Sequence, residues 1–454
     1  MKIVSKTILK ETKSIATLGL GLGIAQLSQV LLNLFDSIMM GRCSEIGLAA
    51  GLLGSSIYNL GLLFCMGVVL SVTILISNNK DNQVKKIISS GYFVSILLTI
   101  LMVAYVLITS KFLNVTHANS ELTQLTAQYL LGLMPGVFPW VLFLLLRNVL
   151  SCFDKVKLTI SISIFSLILD TILNFIFIFG FGNFNGFGVL GSAYSTSLTN
   201  WIALILFLVV IKISKEGKLK EDILQLSEFK LSIVFKYFKF GIPTGIIFFS
   251  EYLIFAYGNI LLAKYGSNAV IAFGVAINWL NLFYMYPVGV SQILTVKTGE
   301  AVKKEDKLLF FRRIKSMKLI SLAYNFFSVL SILLFHKWMI FLIIGRQSYG
   351  SEVYFLSQAF LFIVCLILCV YNLIVMLAGV MRGFQDVKTP LYMVFLMYWI
   401  IGVGSSHIFS IIFSEFGILL GMLFGFSLTY IGMKLSFNKK IVDIFERGEN
   451  YPKI

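Results

Sequence analysis

Twelve apolar runs divide this chain, each long enough to cross a lipid bilayer, and that feature constrains the fold more than any other. They lie at about 15–39, 47–77, 87–110, 122–150, 158–180, 188–212, 235–263, 268–297, 317–343, 352–381, 389–413 and 416–436. A spanning helix needs roughly 20 predominantly apolar residues. The expected fold is therefore an all-α polytopic membrane protein with twelve transmembrane helices. Composition agrees: 58% of residues are hydrophobic and only 13% are charged, against about 25% charged in soluble domains. The runs at 47–77 and 268–297 are long enough to tilt or to extend past the bilayer.

The net charge of +16 would suggest nucleic acid in a soluble protein. Here the basic residues sit mostly in short loops and helix ends, so topology explains them better and no nucleic-acid partner is expected. All but five of the 37 Lys and Arg residues fall on one side if the N-terminus is inside; Arg42, Lys111, Lys264, Lys337 and Arg346 fall on the other. That bias follows the positive-inside rule. It places both termini in the cytoplasm and requires an even number of spans. The first run lacks a clear small-residue cleavage site and reads as a spanning helix rather than a signal peptide. The expected location is the inner (plasma) membrane, multi-pass.

The two halves of the sequence echo each other. Gly47-Leu48-Ala49-Ala50-Gly51 resembles Val270-Ile271-Ala272-Phe273-Gly274, Gly67-Val68 matches Gly289-Val290, and Phe153-Asp154-Lys155-Val156-Lys157 matches Phe384-Gln385-Asp386-Val387-Lys388. The offsets are 223, 222 and 231, consistent with a duplication carrying small insertions. The expected organisation is an N-lobe of six helices at 1–212, a charged cytoplasmic linker at 213–234, a C-lobe of six helices at 235–436 and a cytoplasmic tail at 437–454. Two lobes of like orientation are related by an axis along the membrane normal. They can enclose a central cleft that opens to each side in turn.

Charges inside a bilayer are costly and mark function. Asp36, Asp170 and Glu251 fall within predicted spans, and neither Asp170 nor Glu251 has a basic neighbour in sequence. Burial without a counter-ion favours the neutral form of a carboxyl group, so such a group can exchange a proton or bind a cation such as Na⁺. Asp170 and Asn174 are spaced i, i+4 and share a helix face. Together they offer oxygen ligands to a hard cation. The plainer reading is a hydrogen bond to a neighbouring helix; the isolation of the acids favours ion coupling.

Other features point to structure. Gly19 and Gly23 form a small-residue pair suited to close helix packing. Cys43, Cys65, Cys152, Cys365 and Cys369 read as packing thiols, without a metal site or a disulfide. His117, His336 and His407 are scattered near outer loops and read as non-catalytic. A minority of the 42 Phe and 15 Met lining a cleft would suit flat aromatic cations. No phosphate-binding loop of the GxxxxGK[ST] type is present. Uphill transport would therefore draw on an ion gradient or the membrane potential, and no enzymatic motif stands out.

The run from Gln29 through Asp36 to Gly41, followed by Gly47-Leu48-Ala49-Ala50, resembles the multidrug and toxic compound extrusion (MATE) family. Gly188-Val189-Leu190-Gly191-Ser192-Ala193 and Gly241-Ile242-Pro243 add to the resemblance, which covers nearly the whole chain. It implies an efflux antiporter, not an enzyme, that exports lipophilic cations, needs no cofactor and couples to H⁺ or Na⁺. It also implies an N-lobe cation site of Asp36, Asp170, Asn174 and Thr196, with Asp and Asn exchanged at 170 and 174 relative to some members. Glu251 matches an acidic C-lobe position. Tyr371, beside Asn372, stands where some members carry a second acid, and Gly21 stands where many have proline. The implied partners are a small-molecule substrate and membrane lipid, and a monomer suffices if the cleft lies within one chain. The rival reading is a flippase for a lipid-linked saccharide precursor. It would need a cationic cleft, whereas the deep intramembrane charges here are acidic.

Overall fold

The computed structural model describes residues 2–79, 83–116, 121–182, 185–213, 217–224, 230–346 and 349–446. His117, parts of the 213–234 linker and the end of the tail lie outside these residues. The fold is all-α. Its elements are α1 (Lys2–Cys43), α2 (Glu45–Asn78), α3 (Val84–Thr116), α4 (Glu121–Leu133), α5 (Val137–Cys152), α6 (Val156–Phe179), α7 (Leu190–Ile213), α8 (Gly217–Leu224), α9 (Leu231–Leu262), α10 (Ser267–Lys303), α11 (Lys307–Ile344), α12 (Glu352–Gly383), α13 (Lys388–Val394) and α14 (Val403–Glu446). α4 and α5 form one span through a 3₁₀ turn at Met134–Gly136, and a π-helical stretch at Phe395–Gly402 joins α13 to α14.

Eleven segments among the described residues are long and apolar enough to span a membrane. The last of these runs from Lys388 to Ile441, 54 residues. At 1.5 Å per residue that is about 80 Å, far more than a ~30 Å hydrocarbon core. Ser414 resolves the excess. Its backbone is non-helical (φ 51°, ψ −132°), and the chain folds back there. Ser405 Oγ donates to the Gly421 carbonyl (3.0 Å) and Ser406 Oγ to that of Ile418 (2.9 Å). Gly402 and Gly425 face each other further along. These contacts define an antiparallel helical hairpin. The eleventh and twelfth predicted helices are its two arms, so the expected loop at 414–415 shrinks to a single residue.

Prolines inside the spans leave backbone carbonyls without their helical donor, and at two of them a side chain supplies the replacement. Pro139 cannot donate to the Pro135 carbonyl; Trp201 Nε1 does so at 2.9 Å. Pro287 cannot donate to Phe283; the Tyr324 hydroxyl does so at 2.6 Å. In hydrocarbon such substitution is obligatory, because no water is present to take the place of the missing N–H.

The chain forms two compact units. The amino unit is Ile24–Gly245; the carboxyl unit is Met1–Gly23 together with Ile246–Ile454. The chain passes from one to the other inside α1 and inside α9, so each unit contains half a helix from the opposite sequence repeat. Those half-helices sit on glycine. In the amino unit a side chain on Gly67 would collide with the backbone of Gly245, and a Cβ on Gly241 would lie 2.6 Å from Val68 Cα. In the carboxyl unit a Cβ on Gly19 would lie 2.8 Å from Val290 Cα, and one on Gly289 would collide with the backbone of Gly19 and Gly23. Gly19, Gly23, Gly67 and Val68 each precede their counterparts Gly241, Gly245, Gly289 and Val290 by 222 residues. The expected packing role of Gly19 and Gly23 is what the carboxyl unit displays, and the same joint is built twice. Thr12 Oγ1 donates to Ser316 Oγ (3.0 Å) and Glu11 pairs with Arg313 (3.8 Å), which fixes the start of α1 to α11 within that unit.

Candidate functional site

α6 shows how a membrane helix presents a polar site. Ile164, Ile168, Ile172, Phe175 and Phe179 are exposed on one face, while Ser163, Asp170, Asn174 and Ile178 are buried on the other. The 3.6-residue period separates these sets, so the apolar face meets lipid and the carboxyl group turns inward. Asp36 on α1 is likewise buried, at 6% exposure, and Asp170 at 1%. Neither carboxyl group faces lipid.

The two acids meet through Asn174. Its amide nitrogen donates one hydrogen to Asp36 Oδ1 (2.5 Å) and one to Asp170 Oδ2 (2.7 Å), and the two carboxyl groups also interact with each other directly. Carboxylate oxygens only accept, so the NH₂ end of Asn174 must face them and its carbonyl must face away. Ser195 Oγ on α7 meets that carbonyl at 2.7 Å and also lies 2.9 Å from the Ser192 carbonyl. The Asp36–Asn174–Asp170 bridge therefore joins α1 and α6, and Ser195 locks the orientation of the amide from α7.

Of the four residues expected here, three are in direct contact. Thr196 lines the same cavity as Asp36 and Asp170 without bonding to them. Ser195 and Thr199, not singled out from the sequence, stand beside it. Thr199 interacts with Asp170 but not at hydrogen-bond geometry, since Asp170 Oδ1, Thr196 Oγ1 and Thr199 Oγ1 are all buried without a partner. Gln29, Asn33, Tyr129 and Asn200 are among the other polar residues that line the cavity. Buried polar oxygens left without donors carry a desolvation cost, and a cation coordinated among them would remove it. Two carboxylates and two hydroxyls form a hard, all-oxygen donor set of the kind that suits Na⁺; the same pair can share a proton instead. The signal for Ser195 and Thr199 was present in the spacing: Ser192, Ser195, Thr196 and Thr199 follow i, i+3, i+4, i+7 and line one helical face.

Ser195→Ala would free the Asn174 amide to rotate. The concentration of Na⁺ or of protons that half-fills the pocket should rise about tenfold, as for loss of a ligand-orienting contact, while Ser161→Ala on the exposed side of α6 should leave it unchanged. Equilibrium titration of the purified protein with Na⁺ and with protons checks this.

The carboxyl unit holds the remaining predicted residues. Glu251 on α9 is 7% exposed and accepts a hydrogen bond from the Tyr284 hydroxyl (3.2 Å). Tyr371 on α12 stacks on Tyr284 with ring centroids 4.4 Å apart and also interacts with Glu251. Asn372 turns elsewhere, donating to Asn325 Oδ1 at 2.9 Å. Arg382 on α12, not singled out from the sequence, is 4% exposed and donates to Ser291 Oγ on α10 at 2.5 Å. The five cysteines are free. His407 is exposed and meets the Tyr257 hydroxyl at 3.2 Å, and His336 meets the Leu333 carbonyl at 3.0 Å.

The family model MatE matches residues 22–176 and 243–408, one match in each sequence repeat. Among curated proteins the chain is similar to a probable multidrug resistance protein NorM of Mannheimia succiniciproducens, 26% identical over 88% of this chain and 86% of the relative. A protein of the same description from Bacillus subtilis is 26% identical over 90% of this chain and 91% of the relative. Among solved structures, an outward-facing multidrug resistance MATE family transporter of the MOP superfamily superposes with a TM-score of 0.85 at 19% identity, covering 96% of both chains. The eukaryotic MATE transporter AtDTX14 superposes with a TM-score of 0.77 at 15% identity, covering 95% of this chain and 96% of that one. Identities this low speak for a shared fold.

Proposed function

The chain belongs to the MatE family, and from that premise we propose that it exports small lipophilic organic cations in exchange for H⁺ or Na⁺ held at Asp36 and Asp170. It is a multi-pass membrane transporter rather than an enzyme. The observation that carries the coupling reading is the Asp36–Asn174–Asp170 bridge with unpartnered oxygens around it. Two carboxylates side by side in a water-poor pocket cannot both remain ionised without a cation or a proton. The site is therefore bistable: loaded with the coupling ion, or charged and able to favour a cationic substrate.

In the proposed cycle, substrate enters from the cytoplasm or inner leaflet while the acids are ionised. The transporter then opens outward, the coupling ion binds Asp36 and Asp170, and substrate affinity falls. Return of the ion-loaded form resets the cycle. Inward movement of one charge across 100 mV supplies about 2.3 kcal/mol. Direction requires that each ligand bind the two states differently. The excess of basic residues in alternate loops supports both termini lying in the cytoplasm of an inner (plasma) membrane protein, and a single chain would suffice for the whole scheme.

Expression in a host lacking its own pumps tests this. Cells should accumulate less of a fluorescent lipophilic cation such as ethidium. A protonophore should abolish the difference if H⁺ is the coupling ion, and removal of Na⁺ should abolish it if Na⁺ is. Equal accumulation with and without the protein, under every gradient, would defeat the proposal. The lipid-linked saccharide flippase is the outcome in which dye export is absent and precursor translocation is restored.

A further inference from the structure

The Asp36–Asn174–Asp170 bridge occupies one side of the seam between α1 and α6, and a groove occupies the other. Along α6 the two sets of residues alternate. Asp170 and Asn174 turn to the bridge, while Thr171, Ile172, Phe175 and Ile176 line the groove with Met39 of α1 and Phe181 just beyond α6. All six lining residues belong to the amino unit. The groove encloses about 440 Å³, within the range of roughly 300–1,000 Å³ found for small-molecule sites.

Its chemistry selects the occupant. Five of the six lining side chains are apolar, and the Thr171 hydroxyl is spent on the Leu167 carbonyl (2.8 Å). That leaves no lining group free to hold water or an ion. The groove opens on the face of α6 where Ile172 and Phe175 are exposed, and the Phe175 and Phe179 rings, 5.5 Å apart, prolong that face. It lies within two membrane-spanning segments, where the surrounding medium is hydrocarbon. An unfilled apolar space forfeits dispersion contacts along its whole lining, so a lipid chain is favoured there. A cation stands above it. Arg42 is exposed in the last turn of α1; it follows Met39 by three residues and so shares its helix face. A guanidinium so placed suits the phosphate of a lipid whose chain enters the groove below.

We propose that this groove is a phospholipid site, in which one acyl chain lies between α1 and α6 and the headgroup phosphate pairs with Arg42. The chain backs the seam that carries Asp36 and Asp170, which makes the lipid a structural partner of that pocket. Its binding is independent of which ion those acids exchange.

The test uses the full chain in phosphatidylcholine nanodiscs that contain a small fraction of phosphatidylglycerol with a diazirine in its acyl chain. Irradiation tags the residues that the chain touches, and mass spectrometry maps them. Tags on Met39, Phe175 and Ile176 should exceed those on Ile108, an exposed residue a similar distance from the end of α3. Excess unlabelled phosphatidylglycerol should compete them away. Arg42→Gln should lower the groove tags about fivefold, as for loss of one basic contact to a lipid headgroup. Ile172→Trp puts a large ring in the groove and should bring the tags down to the Ile108 level. Both positions are exposed, so both variants should fold. Any of three results would overturn the assignment. Equal tagging of the groove and Ile108 in wild type would mean ordinary surrounding lipid. An unchanged groove yield in either variant would leave the chain without a seat. Displacement of the tags by ethidium would make the groove a substrate site instead.

Discussion

Asp36→Asn should abolish export while leaving the protein folded in the membrane. The substitution is nearly isosteric, and the new amide oxygen still accepts from Asn174, whose nitrogen lies 2.5 Å from Asp36 Oδ1. What disappears is one of the two negative charges proposed to hold the coupling ion. Loss of even an outer contact to a bound cation costs about 10–100-fold in affinity, and loss of a charged ligand should fall at or beyond the upper end. Net ethidium export should therefore drop about a hundredfold, with membrane yield and thermal midpoint close to wild type. Asp170→Asn should do the same. Export that survives Asp36→Asn at the wild-type rate would place coupling elsewhere in the chain.

Gly67→Ala should yield almost no folded protein, and Gly289→Ala should match it. The added methyl on Gly67 has backbone on its far side: Thr244 C at 2.7 Å, with the backbone of Gly245 closer still. A side chain can rotate away from such a contact, whereas a packed helix must be displaced bodily. Overpacking costs about 1–3 kcal/mol where neighbours can give, so here the cost should lie at or above that upper bound, a large share of a marginal total stability. Gly274→Ala is the control. A Cβ there meets nothing within 4 Å, and alanine is a better helix former than glycine by about 1 kcal/mol. Size-exclusion profiles of the three variants in detergent should separate them, with Gly274→Ala eluting like wild type.

Much of this was legible in the sequence because lipid allows few solutions. Long apolar runs must be helices, and isolated acids within them must face inward; Asp36, Asp170 and Glu251 do. The i, i+4 spacing of Asp170 and Asn174 anticipated their hydrogen bond. Three things escaped. The turn between the last two spans falls at the expected 414–415 but consists of one residue, Ser414, whose backbone alone reverses the chain; hydropathy locates the break without showing how tight it is. The hydrogen-bond donor to Glu251 is Tyr284, placed by the packing of α9 on α10, and spacing along the chain carries no trace of it. The hydroxyl on Asn174 belongs to Ser195, one position from the expected Thr196. A step of one residue rotates a helix by 100°, and only the packing of α7 on α6 determines which hydroxyl arrives.

The exchange of half-helices between the repeats also dictates the order in which the molecule can be finished. The seat that Gly67 and Val68 offer is filled by Gly241 and Gly245, which the ribosome makes only after the first six spans and the connecting segment. Until then the amino unit stands with a gap along α2, open to lipid or to a chaperone. A fragment ending at residue 212 should therefore insert but not mature, whereas one extended through residue 245 carries every segment of its unit. The two sequence repeats are therefore not two separable folding units, and a cut between them should leave each half incomplete.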